Sequence, residues 1–346
     1  MAVLPIIAGV ATGNLSFTYM TLGACFLTMT EGSNSARLPL ALLLAACVTE
    51  PVAFCLGTLT GLTGLIAVPI TGLAVFVSLL LELEGVWALV GNTTAVFFAV
   101  GVGLPGGSEA GAFTRLVFAF AGCLLAFGGA WIHRVITDRA HAGFGLKFPK
   151  AANKLHSDTF RDIVAVSIAS ALGLAVGIAL SLPRDYWILV TILIVSRPRI
   201  LPTVSLTASM VFGTLVGSTI GAVVAVEIAN AFLLESILLV LGVLLFSTRG
   251  VNLGLTQLFI APFIIISINL LYPGHWQVAE YRVIDIAIGG AIAMATVYNG
   301  HQYWRWRIAP ASHAIASASP SVGPEPHRAG KFRVWVPTLK QQHFFE

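Results

Sequence analysis

The sequence predicts an all-α polytopic membrane protein of about 12 transmembrane helices, laid out as two parallel six-helix repeats with a short first helix. Three observations carry this expectation. Apolar residues make up 57% of the 346-residue chain and charged residues only 10%, whereas a water-soluble domain carries about 25% charged residues. Apolar runs follow one another along the chain, many close to the ~20 residues that a helix needs to cross a ~30 Å hydrocarbon core. The pattern of the first half also returns in the second at a nearly constant offset.

The runs place spans near 1–13, 15–30, 38–60, 63–81, 86–104 and 113–133, and again near 162–182, 186–200, 204–226, 232–247, 252–272 and 281–303. Four parts follow: a first repeat over 1–137, a basic linker over 138–161, a second repeat over 162–304, and a tail over 305–346 rich in Ala, Ser and Pro that reads as disordered. Connections such as Leu182-Pro183-Arg184-Asp185 are so short that consecutive spans must be antiparallel neighbours.

Two anchors support the duplication. Phe17-Thr18-Tyr19 before one apolar run matches Asp185-Tyr186-Trp187 before another, at an offset of 168. Arg115 followed by Gly122 matches Arg282 followed by Gly289, at an offset of 167. An even number of spans per half makes the repeats parallel, related by an axis along the membrane normal. The same shift leaves the first helix most of two turns short, which a start upstream of Met1 or local bilayer thinning explains better than a cleaved signal peptide.

Lys and Arg fix the expected orientation. With the N-terminus, linker and tail on the cytoplasmic side, sixteen of the 19 basic residues are inside, and only Arg115, Arg184 and Arg282 lie outside. The net charge of +4 is thus a topology signature and implies no nucleic-acid partner. Cys25, Cys47, Cys55 and Cys123 fall in apolar runs without a CxxC pair or nearby His, so neither disulfides nor metal ligation are expected. No phosphate-binding loop, zinc motif or buried catalytic dyad is present, so the chain does not read as an enzyme and needs no cofactor.

The run Asp185-Tyr186-Trp187-Ile188-Leu189-Val190-Thr191, then Arg197-Pro198, then Gly213-Thr214-Leu215-Val216-Gly217 with Gly221, closes on Arg282-x-x-Asp285-x-x-x-Gly289-Gly290-Ala291. In order and spacing these residues resemble the fusaric-acid-resistance-like family of integral membrane transporters, well over 162–300 and weakly over 10–136. Two departures stand out: Met210 where the family often has a basic residue, and a short linker where many members carry a large cytoplasmic domain. The resemblance implies export of aromatic carboxylic acids or similar amphipathic anions across a bacterial inner membrane. A related plant branch is similar to the aluminium-activated malate transporters, which are anion channels. A channel and a non-transporting scaffold therefore remain as alternatives. The partners implied are the lipid bilayer, a small organic anion, and a further copy or an accessory efflux subunit.

Ionisable groups at membrane depth are the first candidates for transport chemistry, because they are costly to place there. Glu50 lies near the centre of the third span and precedes Pro51, which leaves a backbone carbonyl without its helical donor. It reads either as a proton-coupling carboxylate or as a carboxyl hydrogen-bonded across a helix interface. Its repeat partner is Ser218. Arg282 and Asp285 share a face of the last helix, as an anion-attracting pair or a structural ion pair. Arg115 has Phe118 where Asp285 would be, which makes it the freer of the two arginines to attract a carboxylate. Tyr186, Trp187 and Trp276 read as an interfacial aromatic belt. Asn252, Thr256, Gln257 and Asn269, with Asn92, Thr93 and Thr94, are candidates either for pore lining or for interhelical hydrogen bonds. Gly213, Gly217 and Gly221 form a small-residue ridge for close helix packing.

Overall fold

The computed structural model describes residues 4–14, 16–30, 39–81, 87–104, 107–137, 157–183, 185–196, 200–248, 252–271, 274 and 277–317. Expectations for Arg37, the basic run Arg139 to Lys154, Arg184, Arg197-Pro198-Arg199, Arg249, Trp276 and the tail beyond residue 317 fall outside them. The described residues form twelve α-helices: α1 (Leu4–Thr12), α2 (Phe17–Thr30), α3 (Leu40–Gly61), α4 (Ala67–Leu79), α5 (Ala88–Gly103), α6 (Glu109–Thr137), α7 (Ser157–Ala179), α8 (Tyr186–Val195), α9 (Ile200–Glu227), α10 (Ala231–Thr248), α11 (Leu253–Leu271) and α12 (Val278–Ser317). Met1–Gln302 form one compact unit. The second unit is Tyr303–Glu346, helical as far as Ser317 among its described residues.

The protein is all-helical among its described residues, and six helices are long and apolar enough to cross a membrane: Leu40–Gly61, Glu109–Thr137, Thr159–Ala179, Thr203–Glu227, Ala231–Thr248 and Leu253–Leu270. Shorter apolar helices lie between them. The shortest of these, α8, has Ile, Leu, Val and aromatic residues on every side, and a helix apolar all round belongs in an interior. Nine of its ten residues are buried. It ends at Val195, where Ser196 turns extended, and so stops well short of the expected residue 200. The helical tail is the other departure: Ala309, Ala311, Ala314 and Ala316 are strong helix formers, and they carry helix twelve residues past Arg305.

Helix pairing follows one pattern twice. α1 packs on α2 and α7 on α8; α2 on α3 and α8 on α9; α3 on α5 and α9 on α11; α4 on α5 and α10 on α11. Across the middle, α4 packs on α7 and α5 on α8. One core is therefore shared by both halves, with Phe54, Phe97 and Phe98 of α3 and α5 beside Tyr186, Trp187 and Leu189 of α8.

The ends of α1 and α7 close in the same way. At Gly13 (φ 66°) and at Ser181 (φ 52°) the chain turns left-handed. Asn14 N–H then reaches back to the Gly9 carbonyl at 3.0 Å, as Leu182 N–H does to Gly177 at 3.0 Å. Gly9 lies against Phe17 and Gly177 against Asp185. The two helix pairs that follow are also alike: Gly122 of α6 abuts the Met20 carbonyl of α2, and Gly289 of α12 abuts the Ile188 carbonyl of α8.

Candidate functional site

Three buried polar centres lie within the bundle. The first is built on Arg115 of α6, which is 0% exposed. Its Nη1 donates to Thr58 Oγ1 of α3 at 3.1 Å and its Nη2 to the Leu104 carbonyl just past α5 at 3.2 Å. Its guanidinium carbon lies 5.3 Å from the Tyr19 ring centroid and 5.8 Å from that of Phe54. The carbonyls ending a helix carry partial negative charge, so Leu104 is a fitting acceptor for a cation. Arg115 is thus engaged by two helices and a helix end, not the freer arginine that its missing acidic neighbour suggested.

The second centre holds Arg282 of α12, 1% exposed. Its guanidinium carbon sits 3.6 Å from the Trp187 ring centroid, a close cation–π contact. Nη2 donates to Gln257 Oε1 at 3.4 Å, and that oxygen also accepts from Thr214 Oγ1 at 3.4 Å. Nε and Nη1 have no hydrogen-bond partner, nor has Trp187 Nε1. Asp285, three residues on and 0% exposed, acts on the guanidinium electrostatically together with Tyr186. Burial also decides against the belt for Tyr186 and Trp187, which are only 4% and 9% exposed. They face each other's rings at 4.9 Å inside the bundle.

The third centre is Glu50 of α3, 0% exposed. Its Oε1 accepts from Thr30 Oγ1 of α2 at 2.7 Å, and Thr30 Oγ1 lies 3.0 Å from Thr93 Oγ1 of α5. Cys123 Sγ of α6 is 4.0 Å from Oε2. Beside this chain, Thr49 and Thr94 hydroxyls bond at 3.1 Å. Three other helices thus bring polar groups to one carboxyl.

The remaining candidates separate. Gln257 joins Arg282, but Asn252 and Thr256 do not: Asn252 Oδ1 accepts from Gly254 N–H at 2.7 Å as a helix cap, and Thr256 Oγ1 donates to the Asn252 carbonyl at 3.0 Å. Asn269 Nδ2 donates to the Ala225 carbonyl at 3.1 Å and ties α11 to α9. Gly213, Gly217 and Gly221 abut Gly254, Leu258 and Pro262 of α11, so that ridge is a packing seam. Sequence reasoning missed Tyr19, Phe54, Thr58, Thr30 and the role of Trp187. One available signal pointed to two of them: the 168-residue offset places Tyr19 on Trp187 as the 167-residue offset places Arg115 on Arg282.

Residues 164–296 match the family described as fusaric acid resistance protein-like. The chain is 34% identical over 160 residues to the inner membrane protein YccS of Escherichia coli (strain K12), an alignment covering 44% of this chain and 21% of that protein. The chain therefore spans about a fifth of the curated relative that it matches. No solved structure matches it. Residues 164–296 are thus similar to the fusaric acid resistance protein-like family, and the run of apolar helices is that of a multi-pass membrane protein.

Proposed function

We propose that the protein is a secondary transporter of the bacterial inner membrane that exports small organic anions, aromatic carboxylates foremost. In this reading its helices form two parallel six-helix repeats with both termini cytoplasmic, and Glu50 couples export to protons. One observation carries the proposal: a full positive charge, Arg282, is buried inside an apolar bundle against the ring of Trp187. Burying an arginine is costly and marks a functional path when it occurs among membrane helices. A guanidinium offers a fork of donors that matches a carboxylate, and the ring beside it suits an amphipathic solute.

Further support comes from the pairing of helices that repeats with a shift of six and from the two matched helix closures. The sixteen-to-three distribution of basic residues supports the orientation. For Glu50, the support is a carboxyl held by hydroxyls and a thiol from three other helices, so that a change in its protonation is felt by all of them.

The test is uptake of radiolabelled benzoate into inside-out vesicles or proteoliposomes under imposed pH gradients. Accumulation against a gradient supports a carrier, whereas single-channel currents without accumulation point to the anion channel. Glu50→Gln is expected to remove the dependence on the pH gradient, and undiminished dependence would remove the coupling role. If wild-type protein moves no organic anion under any gradient, the transporter reading falls and a scaffold role takes its place.

A further inference from the structure

The two arginines sit at corresponding places, yet their surroundings differ. A buried guanidinium carries five N–H donors, and leaving them without acceptors is costly. Arg115 finds acceptors within the protein for both terminal nitrogens, a hydroxyl for Nη1 at 3.1 Å and a helix-end carbonyl for Nη2 at 3.2 Å. Arg282 has a single side-chain amide at 3.4 Å, the long end of a hydrogen bond, while Nε and Nη1 have no hydrogen-bond partner. The indole N–H of Trp187, whose ring lies against that guanidinium, is without an acceptor as well. Asp285 contributes charge nearby but takes no hydrogen bond from Nε or Nη1. Open donors are thus more numerous around Arg282, where Nε, Nη1 and Trp187 Nε1 lack acceptors, than around Arg115, where both terminal nitrogens are met and only Nε takes no hydrogen bond.

We infer that the two arginines have parted in role: Arg282, positioned by Trp187 and Gln257, is the group that receives the carboxylate of the solute, whereas Arg115 is a structural tie joining α6 to α3 and to the end of α5. This rests on the transporter reading and assigns its solute contact to one half. A carboxylate supplies two acceptor oxygens where Nε and Nη1 lack them. The face of the Trp187 ring holds the guanidinium in place, so Trp187 is a positioning residue. The fold already supplies acceptors to both terminal nitrogens of Arg115, and a solute gripping that fork would have to displace them.

The test is benzoate binding to purified full-length protein in detergent, followed by calorimetry, with melting temperature read in parallel. Arg282→Gln is expected to weaken benzoate by at least tenfold, about 1.4 kcal/mol. Arg282→Lys keeps the charge but loses the fork, so it serves if the glutamine variant does not fold, and the same loss is expected. Arg115→Gln is expected to lower the melting temperature while changing benzoate affinity less than threefold. Competition by chloride as strong as that by acetate would make the ligand any small anion, and would overturn the carboxylate assignment. Benzoate binding that survives at Arg282 and is lost at Arg115 would overturn the division of roles while leaving the transporter reading intact. Wild-type protein that binds neither benzoate nor any other organic anion would sink the transporter reading, and the assignment with it.

Discussion

Alanine substitutions at Gly122 and Gly128 should have opposite effects although they lie six residues apart on α6. A Cβ added at Gly122 would meet the backbone of α2, lying against the Met20 carbonyl oxygen, 2.7 Å from its carbon and 3.0 Å from Ala24 N. Backbone cannot rotate aside as a side chain can, so the two helices must separate. At Gly128 nothing lies within 4 Å of the added atom. Relief of glycine's helix penalty favours alanine by up to about 1 kcal/mol at either site. Forcing a methyl into a closed seam costs about 1–3 kcal/mol, and more when only backbone can yield. Gly128→Ala should therefore be neutral to stabilising, and Gly122→Ala net destabilising by about 1–2 kcal/mol. The same seam holds Cys123 beside Glu50, so its widening should also disturb that carboxyl. Gly289→Ala should follow Gly122→Ala, since its Cβ would fall 2.7 Å from the Ile188 carbonyl oxygen and 2.8 Å from Thr191 Cβ. Thermal unfolding of the purified variants decides the matter. A Gly122→Ala protein as stable as Gly128→Ala would refute the backbone contact between α2 and α6.

Other expected outcomes concern single ionisable groups. Asp185, in the connection before α8, is lodged against Gly103 and Gly177, and burial pushes its carboxyl up from 3.8 to about 6 against the opposing pull of the Tyr186 N–H. Between those values the folded form holds a proton that the unfolded chain has lost, so stability should fall as pH rises from about 4 to about 6, by at most about 3 kcal/mol. Asp185→Asn should flatten melting temperature against pH over that window, and an unchanged slope would clear Asp185 of the effect. At Glu50, Thr30 and Thr93 keep the Phe26 and Leu89 carbonyls as partners at 3.2 and 2.9 Å, so Glu50→Gln should cost no more than about 1 kcal/mol in unfolding experiments. A much larger loss would make the carboxyl a structural pin. Asp285→Asn leaves the buried Arg282 charge less compensated. It should lower stability by about 3 kcal/mol and tighten benzoate binding, and weaker binding would speak against Arg282 as the receiving group.

Hydropathy alone made the positions of most helices legible. The runs near 38–60 and 232–247 become α3 over Leu40–Gly61 and α10 over Ala231–Thr248, because length and apolarity suffice to define such helices. The end of α8 was not legible, since an apolar run reads alike whether it spans lipid or fills an interior. The same ambiguity hid Trp187, whose place at the start of a run suggests an interfacial ring until its neighbours are known. Glu50 and Arg282 stood out by charge at depth. Their partners Thr30 and Trp187 lie 20 and 95 residues away in sequence, and a single chain carries no signal of such contacts. Gln257 was legible as a polar residue within an apolar run, but its separation from Asn252 and Thr256 depends on which face of α11 meets α12.

Several positions related by a constant sequence offset share local geometry, and the buried polar groups are where that likeness stops. Gly9 and Gly177, Gly13 and Ser181, Phe17 and Asp185, Tyr19 and Trp187 all correspond at an offset of 168, and each pair does the same geometric work. At Glu50 the correspondence ends, for Ser218 stands opposite, buried and with a hydroxyl that has no hydrogen-bond partner. The arginines diverge likewise: both terminal nitrogens of Arg115 have acceptors in the fold, whereas Arg282 has one for Nη2 alone. Under the transport proposed above, two identical halves would offer a solute two equal resting places and give a coupling ion no reason to favour either. With the carboxyl in one half and the open guanidinium in the other, binding at one can bias the other only through packing that they share. That packing is the contact of α5 with α8, where Phe97 and Phe98 meet the helix that carries Trp187, and where Thr93 lies on the same α5 within reach of Thr30. Under the coupling proposed above, a change in the protonation of Glu50 has a short packed route to the ring beneath Arg282, along one helix and across one interface.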